Sequence, residues 1–287
     1  MPLASGLKTT LAPRWARARR IATRLGITLL AACLTIVLTQ DLQIFPLLLT
    51  RRTSSPPADI EPLSVRSADG GNVLVWRLRA NAPRPHAALL LHGNATTVTG
   101  ALHLQRWLAN RGITTYSMEY RGYNGFGSGW PSERGLYEDA QATFDTMLRE
   151  EGLHAHEAIV LGTSIGTGIA SLIAAQYQPG VLVLIAPYTS LPDVVSQRSF
   201  FSLFTPFLWY RFPSRENVGR LSQTCVVAAH GRKDSVIPFH HSEELRDAYS
   251  GTKTFTLLES PDAGHNSIFS AVDLELAEAI EGCFLKR

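Results

Sequence analysis

Cysteine is scarce in this chain: Cys33, Cys225 and Cys283 are its whole complement of 287 residues. Three cysteines cannot form a disulfide framework, and without a CxxC pair or a Cys/His cluster no metal site is signalled. Acidic residues are missing altogether from residues 1–24, which hold Lys8, Arg14, Arg17, Arg19, Arg20 and Arg24. The formal charge of +3 is therefore misleading, because the remainder carries 21 basic and 24 acidic side chains. A body with no basic excess is not built to bind nucleic acid. Repeats and low-complexity tracts are absent too, which excludes solenoids and arrays. With 45% apolar and 18% charged residues, the chain has enough material for one large core or two small ones.

One uncharged run stands out. Leu25–Gln40 contains sixteen residues without a charge, about 24 Å as a helix against the ~30 Å hydrocarbon core. Adding residues 21–24, with Arg24 snorkelling, makes a marginal span. A cleaved signal peptide lacks its small-x-small site; Leu30–Cys33 resembles a lipoprotein box, but the apolar run continues past it. An Arg-rich transit peptide is a third reading. The signal anchor is favoured. Six bases precede the run and only Arg51 and Arg52 follow it closely, so the N-terminus stays cytoplasmic and the rest crosses, into the periplasm if the cell is bacterial. The expected organisation is a basic tail (1–24), a membrane anchor and juxtamembrane segment (25–49), a Pro/Ser-rich linker (50–62) and one folded domain (63–287).

In that domain, 64–66 and 72–79 flank Asp69-Gly70-Gly71, a hairpin signal. Short apolar runs follow at 87–91, 113–118, 158–162, 181–185, 225–229 and 254–258. Helical stretches alternate with them near 99–110, 132–150, 165–178, 239–249 and 267–282. Strands that are apolar throughout are buried on both faces, so the fold class is α/β: a mostly parallel sheet entered by an antiparallel hairpin, with helices on both faces. Active sites in such sheets lie at the carboxyl ends of the strands.

Gly162-Thr163-Ser164-Ile165-Gly166 stands between a strand run and a helical stretch, the setting of a nucleophile elbow. Ser164 would sit on a strained turn, and side chains at 162 and 166 would collide. Serine needs a base and the base an orienting acid. Among nine histidines, His265 follows the last strand run on a loop that can reach the top of the sheet. His103, His154, His156, His240 and His241 lie in helical or connecting stretches, and His230, ending a strand, reads as structural. Asp234, just past the 225–229 strand, is the acid; its rival Asp193 reads as a helix-start residue. The oxyanion donors would be the backbone N–H groups of Ile165 and of Asn94 in the His92-Gly93-Asn94 turn.

The segments LLLHGN, EYRGYNGFGSGWPSERGLYEDA, LGTSIGTGIA, IAPYTSLPDV, HGRKDSVIPFHHSEEL and GHN together resemble the α/β-hydrolase superfamily. More narrowly, they are similar to single-pass membrane α/β-hydrolase-domain proteins and to bacterial serine aminopeptidase-like or lysophospholipase-like hydrolases. The resemblance runs from about residue 62 to 284, and residues 40–46 are similar to that group's juxtamembrane stretch. It implies a serine hydrolase without a cofactor, using Ser164, Asp234 and His265 on a small acyl-ester or lipid substrate. Three departures surround the pocket: Glu119 where the group has Asp, a loop 120–131 longer by one residue, and Thr96 where Gly is common. Residues 199–212, SFFSLFTPFLWYRF, read either as a short apolar lid after the sixth strand run or as a cap packing its own core. The expected activity is hydrolysis of a carboxylic ester or thioester. Amide or peptide hydrolysis, and a tethered scaffold without catalysis, are the alternatives.

Overall fold

The computed structural model describes residues 11–46, 55–123, 129–198 and 201–285. Lys8, residues 50–54 of the expected linker, residues 124–128 of the lengthened loop, and Ser199 and Phe200 lie outside them.

The chain divides into two compact units, 1–41 and 42–287. The first is dominated by one long helix, α1 (Leu11–Leu38). Its stretch Trp15–Leu38 is long and apolar enough to cross a membrane, with a mean hydropathy of 2.1 in its best window. The helix extends beyond the sixteen uncharged residues; Ile21–Leu38 alone is about 27 Å long. The hydroxyls of Thr23, Thr35 and Thr39 donate to the carbonyls four residues back, at 2.7–2.9 Å, so they present no unsatisfied donor.

The second unit starts earlier than the expected residue 63. A short helix, α2 (Gln40–Ile44), leads into it, and Phe45 is fully buried against the rings of Tyr123 and Tyr210. Burying an aromatic ring gains more than a linker can offer, so residues 42–46 join the core and are not merely juxtamembrane.

Eight strands follow: β1 (Glu61–Arg66), β2 (Asn72–Leu78), β3 (Ala87–Leu91), β4 (Thr114–Met118), β5 (Ile159–Thr163), β6 (Val181–Ile185), β7 (Cys225–Gly231) and β8 (Phe255–Ser260). They form one sheet in the order β1-β2-β4-β3-β5-β6-β7-β8. β2 pairs antiparallel with β1 and β4, and every other pairing is parallel. The period of two along a strand divides the core. Leu89, Leu91, Val160, Leu182 and Val226 face α4 (Glu133–Glu151), α5 (Gly166–Tyr177) and α8 (His240–Ala248). Their neighbours Ala88, Leu90, Leu161, Val183 and Val227 face α3 (Leu102–Ala109), α9 (Ile268–Ala271) and α10 (Asp273–Leu285). The expected helix over 267–282 is thus two helices, interrupted at Val272.

After β6 come α6 (Leu191–Ser196), a 3₁₀ segment (Phe201–Phe207) and α7 (Ser214–Gly219). Part of this cap packs a core of its own, and part faces outward. Phe204, Tyr210 and Phe212 are buried, while Leu203, Phe207 and Trp209 are exposed.

Cys225 and Cys283 are joined by a disulfide between β7 and α10. Cysteines in apolar surroundings are ordinarily buried free thiols. Those surroundings instead describe two elements packed against each other, which brings the Cα atoms to 5.8 Å.

Candidate active site

The strand-to-helix turn at Ser164 is where the fold is tightest. Ser164 has φ +49°, in the left-handed region that non-glycine residues rarely occupy. The turn is held because the Ser164 N–H donates to the Ile185 carbonyl at 2.8 Å and its own carbonyl accepts from Thr167 N–H at 2.9 Å. A Cβ at Gly162 would lie 2.6 Å from the Gly166 carbonyl oxygen, and one at Gly166 only 2.2 Å from that of Leu91. Both contacts are with backbone, so neither can relax cheaply.

His265 lies on the loop after β8. Its Nε2 is 3.0 Å from Ser164 Oγ, and its Nδ1 donates to Asp234 Oδ2 at 2.7 Å. Because a carboxylate only accepts, the proton sits on Nδ1 and Nε2 faces the serine as an acceptor. Asp234 follows β7 and is buried. Its Oδ1 accepts from the N–H groups of Val236 and Ile237, each at 2.8 Å. Burial raises its pKa, but hydrogen bonds from His230, His265 and Ile237 outweigh that and hold the carboxyl well below the usual range. These hydrogen bonds favour the ionised form of the acid.

His230 belongs to this constellation, contrary to its reading as a purely structural residue. It is fully buried. Its Nε2 donates to the Ile237 carbonyl at 2.8 Å and lies 3.3 Å from Asp234 Oδ2, while Nδ1 accepts from Ser242 Oγ at 2.6 Å. The carbonyl acceptor fixes the proton on Nε2, so His230 presents a second N–H to the acid. The spacing of His230 and Asp234, four residues across a tight turn, was the available signal.

Asp193 is elsewhere. It occupies the first turn of α6, accepts from Thr189 Oγ1 at 2.7 Å, and donates its N–H to Ser190 Oγ, the actual cap. His154 and His156 are exposed and stacked on each other. His103 is exposed but borders the cleft described below. His240 and His241 open α8. His241 is buried, accepts from Thr189 at Nδ1, and has its pKa pushed down to about 4, chiefly by burial and then by His240.

The turn after β3 passes directly over the serine: a Cβ at Gly93 would be 3.6 Å from Ser164 Cβ. Asn94 Oδ1 accepts from Ala95 N–H at 2.8 Å, and Ala95 has φ +53°. Glu119 explains how the turn is held. Buried at the end of β4, it accepts from His92 Nε2 at 3.0 Å and from Val98 N–H at 3.4 Å, pinning both ends of the loop. Thr96 is accommodated by Gly100, where a Cβ would stand 1.8 Å from the Thr96 hydroxyl.

Ser164 and His265 open on a cleft of about 710 Å³. Its walls are mostly apolar, with Ile44, Leu104, Tyr188, Val194, Ile237 and Phe269 among them, and Gln43 also lines it. No Asp or Glu is among the described residues lining it. Among the described residues no group of three His, Cys, Asp or Glu side chains converges as metal ligands would.

A family profile described as "Serine aminopeptidase, S33" matches residues 83–227. The chain belongs to this family of α/β-hydrolases. As a member of this family it is a hydrolase, built on a mostly parallel eight-stranded sheet with an antiparallel start and helices around it. The chain is 27% identical over 233 residues to the uncharacterized protein YfhR of Salmonella typhimurium, covering 75% of this chain and 77% of that one. It is 27% identical over 210 residues to human alpha/beta hydrolase domain-containing protein 17B, covering 73% and 70%. The esterase Pf2001 of Pyrococcus furiosus shares the fold, with a TM-score of 0.64 at 14% identity, over 82% of this chain and 97% of that one.

Proposed function

We propose that this S33-family hydrolase is a membrane-anchored serine esterase acting on a carboxylic ester or thioester of an acyl, lipid-like substrate. The observation that carries the reading is the continuous line from Ser164 Oγ through His265 to Asp234, at 3.0 and 2.7 Å. His265 Nε2 takes the hydroxyl proton as Ser164 attacks the carbonyl carbon. Asp234 stabilises the imidazolium, and the N–H groups of Asn94 and Ile165 receive the negative oxygen. His265 passes its proton to the departing alcohol or thiol. Water then attacks the acyl-enzyme with His265 again as base, which frees the acid and restores Ser164.

The apolar cleft favours an acyl chain over a peptide. The family's description favours an amide substrate as the second reading. An aminopeptidase, however, needs a negative group for the substrate's terminal ammonium, and the described cleft lining holds no carboxylate. For location, α1 supplies the anchor and the six bases at its start favour a cytoplasmic N-terminus. The disulfide fits a catalytic unit in an oxidising compartment beyond the membrane.

The test is labelling of the full chain with a fluorophosphonate probe, wild type beside Ser164→Ala. Labelling confined to wild type is expected. An equally labelled Ser164→Ala protein would sink the assignment, and a series of acyl esters against aminoacyl amides separates the two substrate classes.

A further inference from the structure

His230 is fully buried, and the reaction steps above give it no part. Burying an imidazole costs free energy unless both nitrogens are paired, and here the pairing is with the acid's own turn. Ile237 N–H donates to Asp234 Oδ1 at 2.8 Å, and the Ile237 carbonyl accepts from His230 Nε2 at 2.8 Å. The same Nε2 lies 3.3 Å from Asp234 Oδ2, so its N–H is shared between the carbonyl and the acid. The far side of the imidazole is anchored too: Ser242 Oγ, buried on α8, is 2.6 Å from Nδ1.

Oδ2 is also the oxygen that accepts from His265 Nδ1, at 2.7 Å. The His230 N–H therefore acts on it twice. It fixes the plane of the carboxylate, because rotation about the Cβ–Cγ bond would break the contacts with Ile237 and His230 together. It also draws on the negative charge, which leaves less to hold a second proton on His265.

We infer that His230, backed by Ser242, is a positioning residue for the triad: it aims Asp234 Oδ2 at His265 and limits that oxygen's pull, so it sets the pH above which His265 can accept the Ser164 proton. This rests on the serine-hydrolase reading above and deepens it.

The other polar and charged groups around the pair are engaged elsewhere. On the turn after β7, Arg232 pairs with Glu259 and Lys233 with Asp262, each at 2.6 Å on the surface. Phe239 packs its ring against His230, with centroids 5.6 Å apart. On α8, His240 lies 4.0 Å from Glu244, and His241 meets Thr189, whose hydroxyl also meets Asp193. Across the cleft, His92 is held by Glu119 at 3.0 Å. His241 is thus the neighbouring titratable group that needs a control.

The test is the rate of fluorophosphonate labelling of Ser164 against pH, in the full chain. The rate rises along a limb that reports uncharged His265. His230→Met keeps the bulk and removes the N–H. Its limb should move up by about half a pH unit or more, and its plateau rate should fall about tenfold, the scale of one hydrogen bond to a charged group. His230→Gln puts an amide N–H near the place of Nε2 and should restore the limb and most of the rate. Ser242→Ala frees the imidazole without removing it, and should move the limb the same way by less; it decides alone if the methionine variant does not fold. His241→Gln should leave the limb in place. A limb unmoved in folded His230→Met and in Ser242→Ala would overturn the inference, whatever the loss of rate. So would a His230→Gln limb displaced as far as that of His230→Met, or an equal displacement in His241→Gln. A wild type that takes no probe at Ser164 would instead refute the hydrolase reading beneath it.

Discussion

Replacing Asp234 with Asn removes one charge and turns one acceptor oxygen into a donor, and the surrounding hydrogen bonds decide which. One oxygen faces the N–H groups of Val236 and Ile237, both at 2.8 Å and fixed in the backbone. The other faces His265 Nδ1 at 2.7 Å and His230 Nε2 at 3.3 Å. If the amide NH₂ met the backbone pair, two short donor–donor contacts would result, with no group able to turn. If it meets the histidines, His265 can answer by moving its proton to Nε2, and the clash with His230 is at the longer distance. The second orientation wins. The cost then falls on catalysis, because Nε2–H can no longer accept the Ser164 proton, and the imidazolium loses its counter-charge. In serine hydrolases a wrong-tautomer change of this kind is worth about 10⁴ in kcat, or about 5 kcal/mol of activation free energy. Ester turnover and the rate of fluorophosphonate labelling should fall together, while the thermal midpoint moves far less. A Asp234→Asn protein keeping a tenth of wild-type turnover would refute the hydrogen-bond accounting.

Gly166→Ala places a methyl 2.2 Å from the Leu91 carbonyl oxygen and 2.7 Å from that of His92, so α5 and the turn after β3 must separate; ester turnover should drop at least about a hundredfold, since one displaced oxyanion donor alone costs that much. Cys283→Ser opens a bridge spanning 58 residues, and urea unfolding should show a loss of up to about 4 kcal/mol that reductant reproduces in wild type and not in the variant. His241 gives the pH dependence. Unfolded, it takes a proton near pH 6.5; folded, only near pH 4, so between those values acid favours the unfolded state. The unfolding free energy from urea titration should fall as pH drops from 6.5 to 4, by up to about 3 kcal/mol from this group, and His241→Gln should flatten that limb.

The parts of the molecule legible in sequence are those where one local constraint leaves no choice. β3, β5, β6 and β7 are apolar because both faces are covered, and the glycines at 162 and 166 are required by backbone contacts two residues from Ser164. Asp234 and His265 could be proposed because each lies on the loop that follows a strand of the parallel sheet, and such loops share one edge. What stayed hidden depends on partners distant in the chain. His230 reads as a strand-end residue until the turn folds its ring onto Asp234. Cys225 and Cys283 read as apolar filling until α10 crosses β7. Glu119 reads only as an acid after a strand run until the buried His92 ring is seen to reach its carboxylate.

Phe45 sits with no exposed surface against Tyr123 and Tyr210, so residues 42–46 cannot be cleanly divorced from the domain that follows them. A protease cutting in the Pro/Ser-rich stretch at 50–62 would release a body with a ring-sized hole in its core and one wall of its cleft missing. Emptying an aromatic site costs about 3–5 kcal/mol, a large share of the stability of an ordinary domain. Cleavage there would thus disable the domain, where a protein with an inert N-terminal stalk would be left working.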